Sequence, residues 1–139
     1  MASALIDASV LVAVFGQNEP RAQHYAELLA LAAMEHWALS TTWPCVVEAS
    51  HLVPPPNRFE MLQWIGEGAI MVFPFEQSTL LDLTPLMLRY TERPRTEMDL
   101  ADASLLWLAR ETNVTTFMTQ DGRDFTRNRL PDGRVFQIL

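Results

Sequence analysis

Lysine is missing from the 139-residue chain, in which all ten basic residues are Arg. That absence excludes a P-loop lysine, a Schiff-base lysine, a receiver-domain lysine and a lysine general base. Cysteine is nearly missing too. Cys45 stands alone, so no internal disulfide can form, and a reducing compartment, the cytoplasm, is expected. His24, His36 and His51 share no ligand spacing with one another or with Cys45, which sets aside a zinc site and a Cys–His nucleophile and leaves Cys45 as a small core residue. Long apolar runs are also lacking. The stretch from Ala4 to Phe15 is broken by Asp7, and the first seven residues carry no basic cluster, so neither a transmembrane helix nor a signal peptide is expected.

What is present is enough apolar material for a core. With 49% apolar and 19% charged residues and no repeat or linker, residues 1–139 are expected to form a single domain. The net charge of −7 argues against a broad basic face for nucleic acid, but it is unevenly spread. Residues 1–88 hold only Arg21 and Arg58 against nine acids, whereas residues 89–139 hold eight Arg against eight acids. Arg123, Arg127, Arg129 and Arg134 crowd the C-terminal segment and are the expected phosphate footprint, with Arg123 and Arg127 foremost; Arg89, Arg93 and Arg95 are the alternative.

Along the chain, strands and helices alternate. Leu5-Ile6 begins a strand, but Val10, Val12 and Val14 fit either its continuation or a helix starting near Asp7, and periodicity alone does not separate the two. Asn18-Glu19-Pro20 predicts a helix start, Trp37–Leu39 a short strand, and Thr41-Thr42 a cap for a helix opened by Trp43-Pro44. Asn57 with Glu60 resembles a capping box for a helix ending near Gly66. Ala69–Phe75 reads as a buried strand, Ser78 opens a helix reset at Thr84-Pro85, and Asp99 caps the next helix. Val114–Met118 and Val135–Leu139 complete a mostly parallel sheet with helices on both faces, an α/β fold.

Ligands of such sheets bind beyond the carboxyl ends of the strands, and four acids fall there: Asp7, Glu48, Asp102 and Asp121. Each has an apolar context, as in Leu-Ile-Asp7 and Val-Val-Glu48-Ala, where an ionised carboxylate is costly unless neutralised. A hard divalent cation, Mg²⁺ or Mn²⁺, would neutralise them and support phosphodiester hydrolysis. Simpler readings stand beside these: Asp99, a further supporting candidate next to Asp102, as a helix cap, Glu48 as a solvated helix acid, and Asp121 before Gly122 as a turn residue. Their shared strand-end position is what groups them.

Leu-Ile-Asp7-Ala-Ser9, Pro44-Cys-Val-Val-Glu48, Met-Asp99-Leu-Ala-Asp102-Ala-Ser-Leu and Thr119-Gln-Asp121-Gly-Arg-Asp124-Phe125 resemble, in order, the motifs of PIN-domain nucleases, especially VapC-type toxins. The resemblance covers nearly the whole chain. It implies a three-layer PIN-like fold, a helix beginning at Asp7, and a Mg²⁺- or Mn²⁺-dependent endoribonuclease with Asp7, Glu48, Asp102 and Asp121 as its acidic cluster. It further implies Ser9 and Thr119 as supporting polar residues, Asp124 as a support or turn cap, an RNA substrate, a small antitoxin partner and a homodimer. Trp43, Phe59, Met61 and Trp64, near chain elbows, are candidates for an apolar groove that a partner helix could occupy, each set against simple burial. The alternative function is a PIN-like, non-catalytic binding or regulatory module. A haloacid-dehalogenase-type phosphatase is disfavoured because Ser9 stands where a second Asp is expected two residues after Asp7.

Overall fold

The structure is a computed structural model that describes residues 2–90, 98–120 and 137–139. The elements run β1 (Ser3–Ile6), α1 (Ala8–Phe15), α2 (Ala22–Met34), β2 (Ala38–Thr42), α3 (Trp43–Leu52), α4 (Asn57–Gly66) and β3 (Met71–Phe73). A 3₁₀ turn (Gln77–Thr79) then leads into α5 (Leu80–Tyr90), α6 (Leu100–Thr112), β4 (Thr116–Met118) and β5 (Gln137–Ile138). The strands form one sheet in the order β3-β2-β1-β4-β5, and every pairing is parallel.

Asp7 settles the ambiguity at the first boundary. Its backbone is extended, and its carboxylate accepts a hydrogen bond from the Ala8 N–H, so β1 stops and α1 starts on either side of it. Val10, Val12 and Val14 therefore belong to a helix. That helix ends at Gly16, whose N–H donates to the Val12 carbonyl at 2.7 Å; a Cβ at Gly16 would lie 2.4 Å from the same oxygen, which only glycine avoids.

In β1 the consecutive residues Ala4, Leu5 and Ile6 are all buried, as are Phe117 and Met118 in β4. Successive side chains of a strand point to opposite faces, so both faces of the sheet centre are covered. On the helical side α1 packs against α2, α3 and α4, while α6 packs against α3 and α5. Among the described residues no helix is long and apolar enough to cross a membrane.

Several local expectations are corrected. Ala69–Phe75 contributes only the three-residue strand β3, which has β2 as its single neighbour and leaves Met71 60% exposed; it is an edge, not a buried strand. Asn57 makes no capping bond, because its side-chain amide donates instead to the Phe15 carbonyl at 2.9 Å and joins α4 to the end of α1. Helix α2 begins at Ala22, two residues after Pro20, with no side-chain cap. Helix α5 runs through Pro85 without a reset, anchored by buried Leu83 and Leu86 on either side of it. Asp99 caps α6 as expected, its Oδ1 accepting from the Asp102 N–H at 2.8 Å.

Candidate active site

Strand β1 lies at the centre of the sheet, flanked by β2 and β4, and the chain passes from one flank to the other after β3. The carboxyl ends of β1 and β4 therefore form the topological switch point where open α/β sheets bind ligands. Asp7 follows β1 and Thr119 follows β4 at that point, and the ladder reaches them through the Asp7 N–H, which donates to the Met118 carbonyl at 3.0 Å.

A buried carboxylate survives only when surrounded by donors. Asp7 is 4% exposed, and it has them: Oδ1 accepts from the Ala8 N–H at 2.8 Å, while Oδ2 accepts from the hydroxyls of Ser9 at 2.8 Å and Thr119 at 2.9 Å. Ser9 in turn accepts the Gln120 N–H at 2.9 Å, and the Gln120 side-chain amide donates to the Ser9 carbonyl at 2.7 Å. The buried Tyr25 of α2 donates its phenol hydroxyl to the Thr119 carbonyl at 3.0 Å. The carboxylate is thus held from α1, from the end of β4 and, one step removed, from α2.

The neighbouring strand end is built the same way. Thr41 donates its hydroxyl to the Ile6 carbonyl at 2.7 Å, and Thr42 pairs with Ser104 of α6 at 2.6 Å, while Ser104 also donates to the Ala101 carbonyl at 2.7 Å. Thr42 thus sits at the cap position of α3 without capping it. Pro44 has already removed one of the N–H groups a cap would serve, and the buried hydroxyl finds a partner in α6. The buried polar side chains among the described residues are Asp7, Thr41, Thr42, Ser104 and Thr119, and all five gather at this end of the sheet. None of their buried atoms lacks a partner.

Cys45 lies fully buried within reach of the Asp7 charge. Its thiol is pushed up to about 12, first by burial and then by the negative charge of Asp7, with hydroxyls of Thr42 and Thr41 and the Ala8 backbone acting in the opposite direction. Its Sγ also approaches the Ala101 carbonyl at 3.8 Å, next to Asp102 in the first turn of α6. Glu48 is three residues beyond Cys45 on α3, one turn along the same face. Fully buried and bonded to a main-chain carbonyl, Cys45 packs at the meeting point of β1, α3 and α6.

Glu48 and Asp102 are both half-buried at this end of the molecule, in contrast to enclosed Asp7. Among the described residues no three His, Cys, Asp or Glu side chains converge closely enough to hold a metal ion by themselves. Asp121, Asp124, Arg123, Arg127, Arg129 and Arg134, like Arg93 and Arg95, lie outside the described residues. The sequence reading missed Thr41, Thr42, Ser104, Tyr25 and Gln120 as parts of the site; the Thr-Thr pair between an apolar strand and Trp43-Pro44 was the available signal.

Of the four elbow residues, Met61 is fully buried, and Trp64 packs against Phe15 with ring centroids 5.4 Å apart; both belong to the core. Phe59 and Trp43 remain 61% and 52% exposed. They line separate depressions. Phe59 borders a shallow one of about 520 Å³ on α4 with Leu62, and Trp43 lines a groove of about 590 Å³ with Val47, Glu48, His51, Phe75, Asp99 and Leu100.

No protein-family model matches the chain, and no curated protein matches it by sequence. Solved structures do match. The sarcin-ricin loop cleaving toxin VapC20 of Mycobacterium tuberculosis superposes with a TM-score of 0.72 at 13% identity, covering 87% of this chain and 92% of that one. FitAcB from Neisseria gonorrhoeae superposes with a TM-score of 0.56 at 17% identity over 96% of both chains. With an all-parallel five-stranded sheet among the described residues, central β1 and flanking helices, the chain has a PIN-like α/β fold, which it shares with these two solved structures.

Proposed function

We propose that the chain is a Mg²⁺- or Mn²⁺-dependent endoribonuclease and the toxin of a toxin–antitoxin pair. The observation that carries this reading is the buried, triply hydrogen-bonded carboxylate of Asp7 at the switch point of the sheet, with every other buried polar side chain of the described residues gathered beside it. Support for RNA as substrate comes from VapC20, a toxin that cleaves the sarcin-ricin loop and shares this fold.

The donor set suits a hard cation. Asp7, Glu48 and Asp102 offer only oxygen, the ligand chemistry of a hard cation. Mg²⁺ is usually held by one or two carboxylates together with water and substrate phosphate, so three converging protein ligands are not required. Of the proposed ligands Asp7, Glu48, Asp102 and Asp121, one or two would touch the ion directly and the others would act through its bound water. When bound, it would supply an activated water and neutralise charge on the phosphate. The chain's own contribution is orientation: Ser9 and Thr119 fix Oδ2 of Asp7, and the Ala8 N–H fixes Oδ1, so the carboxylate is set before substrate arrives. Arg123 and Arg127 would bind phosphate. A small antitoxin and a second copy of the chain are the proposed protein partners.

The test is cleavage of RNA by purified protein with Mg²⁺ or Mn²⁺, alongside Asp7→Asn checked for folding by circular dichroism. Metal-dependent cleavage lost by orders of magnitude in the folded variant is expected. Cleavage that persists in excess chelator overturns the metal assignment, and RNA binding without cleavage leaves the non-catalytic module. Expression of the wild type, but not of Asp7→Asn, should arrest growth, and the neighbouring small protein should relieve the arrest.

A further inference from the structure

The groove that contains Trp43 is made by two helix starts. Trp43 and Pro44 open α3, Asp99 and Leu100 open α6, and Val47, Glu48, His51 and Phe75 complete the walls. Its volume of about 590 Å³ falls within the range of small-ligand sites. Three of its apolar side chains remain well exposed: Trp43 at 52%, Val47 at 52% and Leu100 at 39%. Among the described residues the polar wall consists mostly of acceptors, the carboxylates of Glu48 and Asp99, with His51 as the basic residue lining it.

We propose that this groove is a base-recognition subsite: it takes one unstacked guanine of the RNA substrate, stacked on the Trp43 indole, with its Watson–Crick edge turned to the Asp99 carboxylate. The inference rests on the nuclease reading above and deepens it. Two observations favour a base over another occupant. First, Glu48 belongs both to this groove and to the candidate acidic site, so a nucleotide next to the scissile phosphate passes the groove mouth. Second, a groove walled by carboxylates selects a ligand rich in donors, and guanine places N1–H and N2–H₂ side by side on one edge, a pattern a carboxylate can accept. Asp99 already accepts the Asp102 N–H through Oδ1, which fixes the carboxylate in orientation at the start of α6.

The experiment separates this inference from the nuclease reading. Binding of short single-stranded RNAs containing one guanine is measured by fluorescence anisotropy in chelator, using Asp7→Asn so that nothing is cleaved, and cleavage positions are mapped separately with the wild-type Asp7. Loss of one stacked base is worth about 1–3 kcal/mol, so Trp43→Ala should weaken binding roughly 5- to 150-fold, and Trp43→Phe should restore most of it. An abasic nucleotide in place of the guanine should weaken binding to the Trp43 protein and have little further effect on Trp43→Ala. Asp99→Asn keeps a cap oxygen and should reduce the preference for guanine over uracil. If the wild type cleaves RNA while Trp43→Ala binds and cuts it identically, the subsite is refuted and the nuclease stands. If Trp43→Ala instead abolishes self-association in sedimentation with RNA binding intact, the groove is a protein interface and the proposal fails. A wild type that neither binds nor cleaves RNA refutes the nuclease reading itself.

Discussion

Replacing Thr119 by Val tests whether the hydroxyl clamp on Asp7 is structural, and it does so with almost no change of volume. Thr119 is 2% exposed, and its hydroxyl donates to Oδ2 of Asp7 at 2.9 Å. A hydrogen bond to a charged group contributes about 1.5–3 kcal/mol. The Ser9 hydroxyl still donates to the same oxygen at 2.8 Å, so Oδ2 is not left bare, and the expected loss lies at the lower end, about 1.5–2 kcal/mol. With a urea m-value near 2 kcal/mol/M, the unfolding midpoint should fall by about 0.8–1 M. The double variant Ser9→Ala/Thr119→Val removes both donors to Oδ2. It should lose more than the sum of the single changes, by at least about 0.5 kcal/mol, because the second removal strands a buried charge. In an Asp7→Ala background the Thr119→Val change should cost much less. A single variant within about 0.5 kcal/mol of wild type, or strictly additive losses, would refute the clamp.

Cys45 should resist iodoacetamide at pH 8 in the folded protein and react once unfolded in urea. Because the folded thiol keeps its proton up to about 12 while the unfolded thiol releases it near its ordinary value of 9.0, the native state binds more protons in that window. Stability relative to Cys45→Ala should therefore fall as pH rises above about 9, by up to about 1.4 kcal/mol per pH unit; a flat difference would contradict the burial of the thiol. At the Thr42–Ser104 pair the losses should be unequal. Ser104 gives its proton to the Ala101 carbonyl, so Thr42 donates to Ser104: Ser104→Ala removes the acceptor of the buried Thr42 hydroxyl and should cost about 1–3 kcal/mol, whereas Thr42→Val leaves Ser104 bonded to Ala101 and should cost about 1 kcal/mol; urea midpoints that reverse this order would refute that direction of donation.

What the sequence revealed depended on how far apart the interacting groups lie. The Asp99 cap was legible because its partner is the N–H three residues on. The break after Ile6 hinged on Asp7, whose first partner is the adjacent N–H, and the valine alternation beyond it carried no deciding information. By contrast, Thr42 looked like a cap because its true partner is 62 residues away, and Tyr25 looked like one more apolar residue of α2 because its hydroxyl bonds to a carbonyl 94 residues distant. The short β3 was overextended because edge position is a property of the sheet order, to which a single apolar run gives no clue. The four acids were grouped from the alternation of elements alone, while the hydroxyls that hold Asp7 required the assembled sheet.

Gln120 and Gln137 bracket residues 121–136 at fixed points. Gln120 is fastened to Ser9 through both its main chain and its side chain, and Gln137 is in register with Thr116 of β4. The point of departure is therefore set by α1 and the point of return by the sheet, whatever lies between. The Asp7 carboxylate and its hydroxyl clamp are built wholly from residues outside this stretch, whereas Asp121, Asp124, Arg123 and Arg127 of the proposed site all fall within it. Substitutions confined to 121–136 can therefore vary the proposed metal and phosphate contacts against an Asp7 whose own fastening is unchanged.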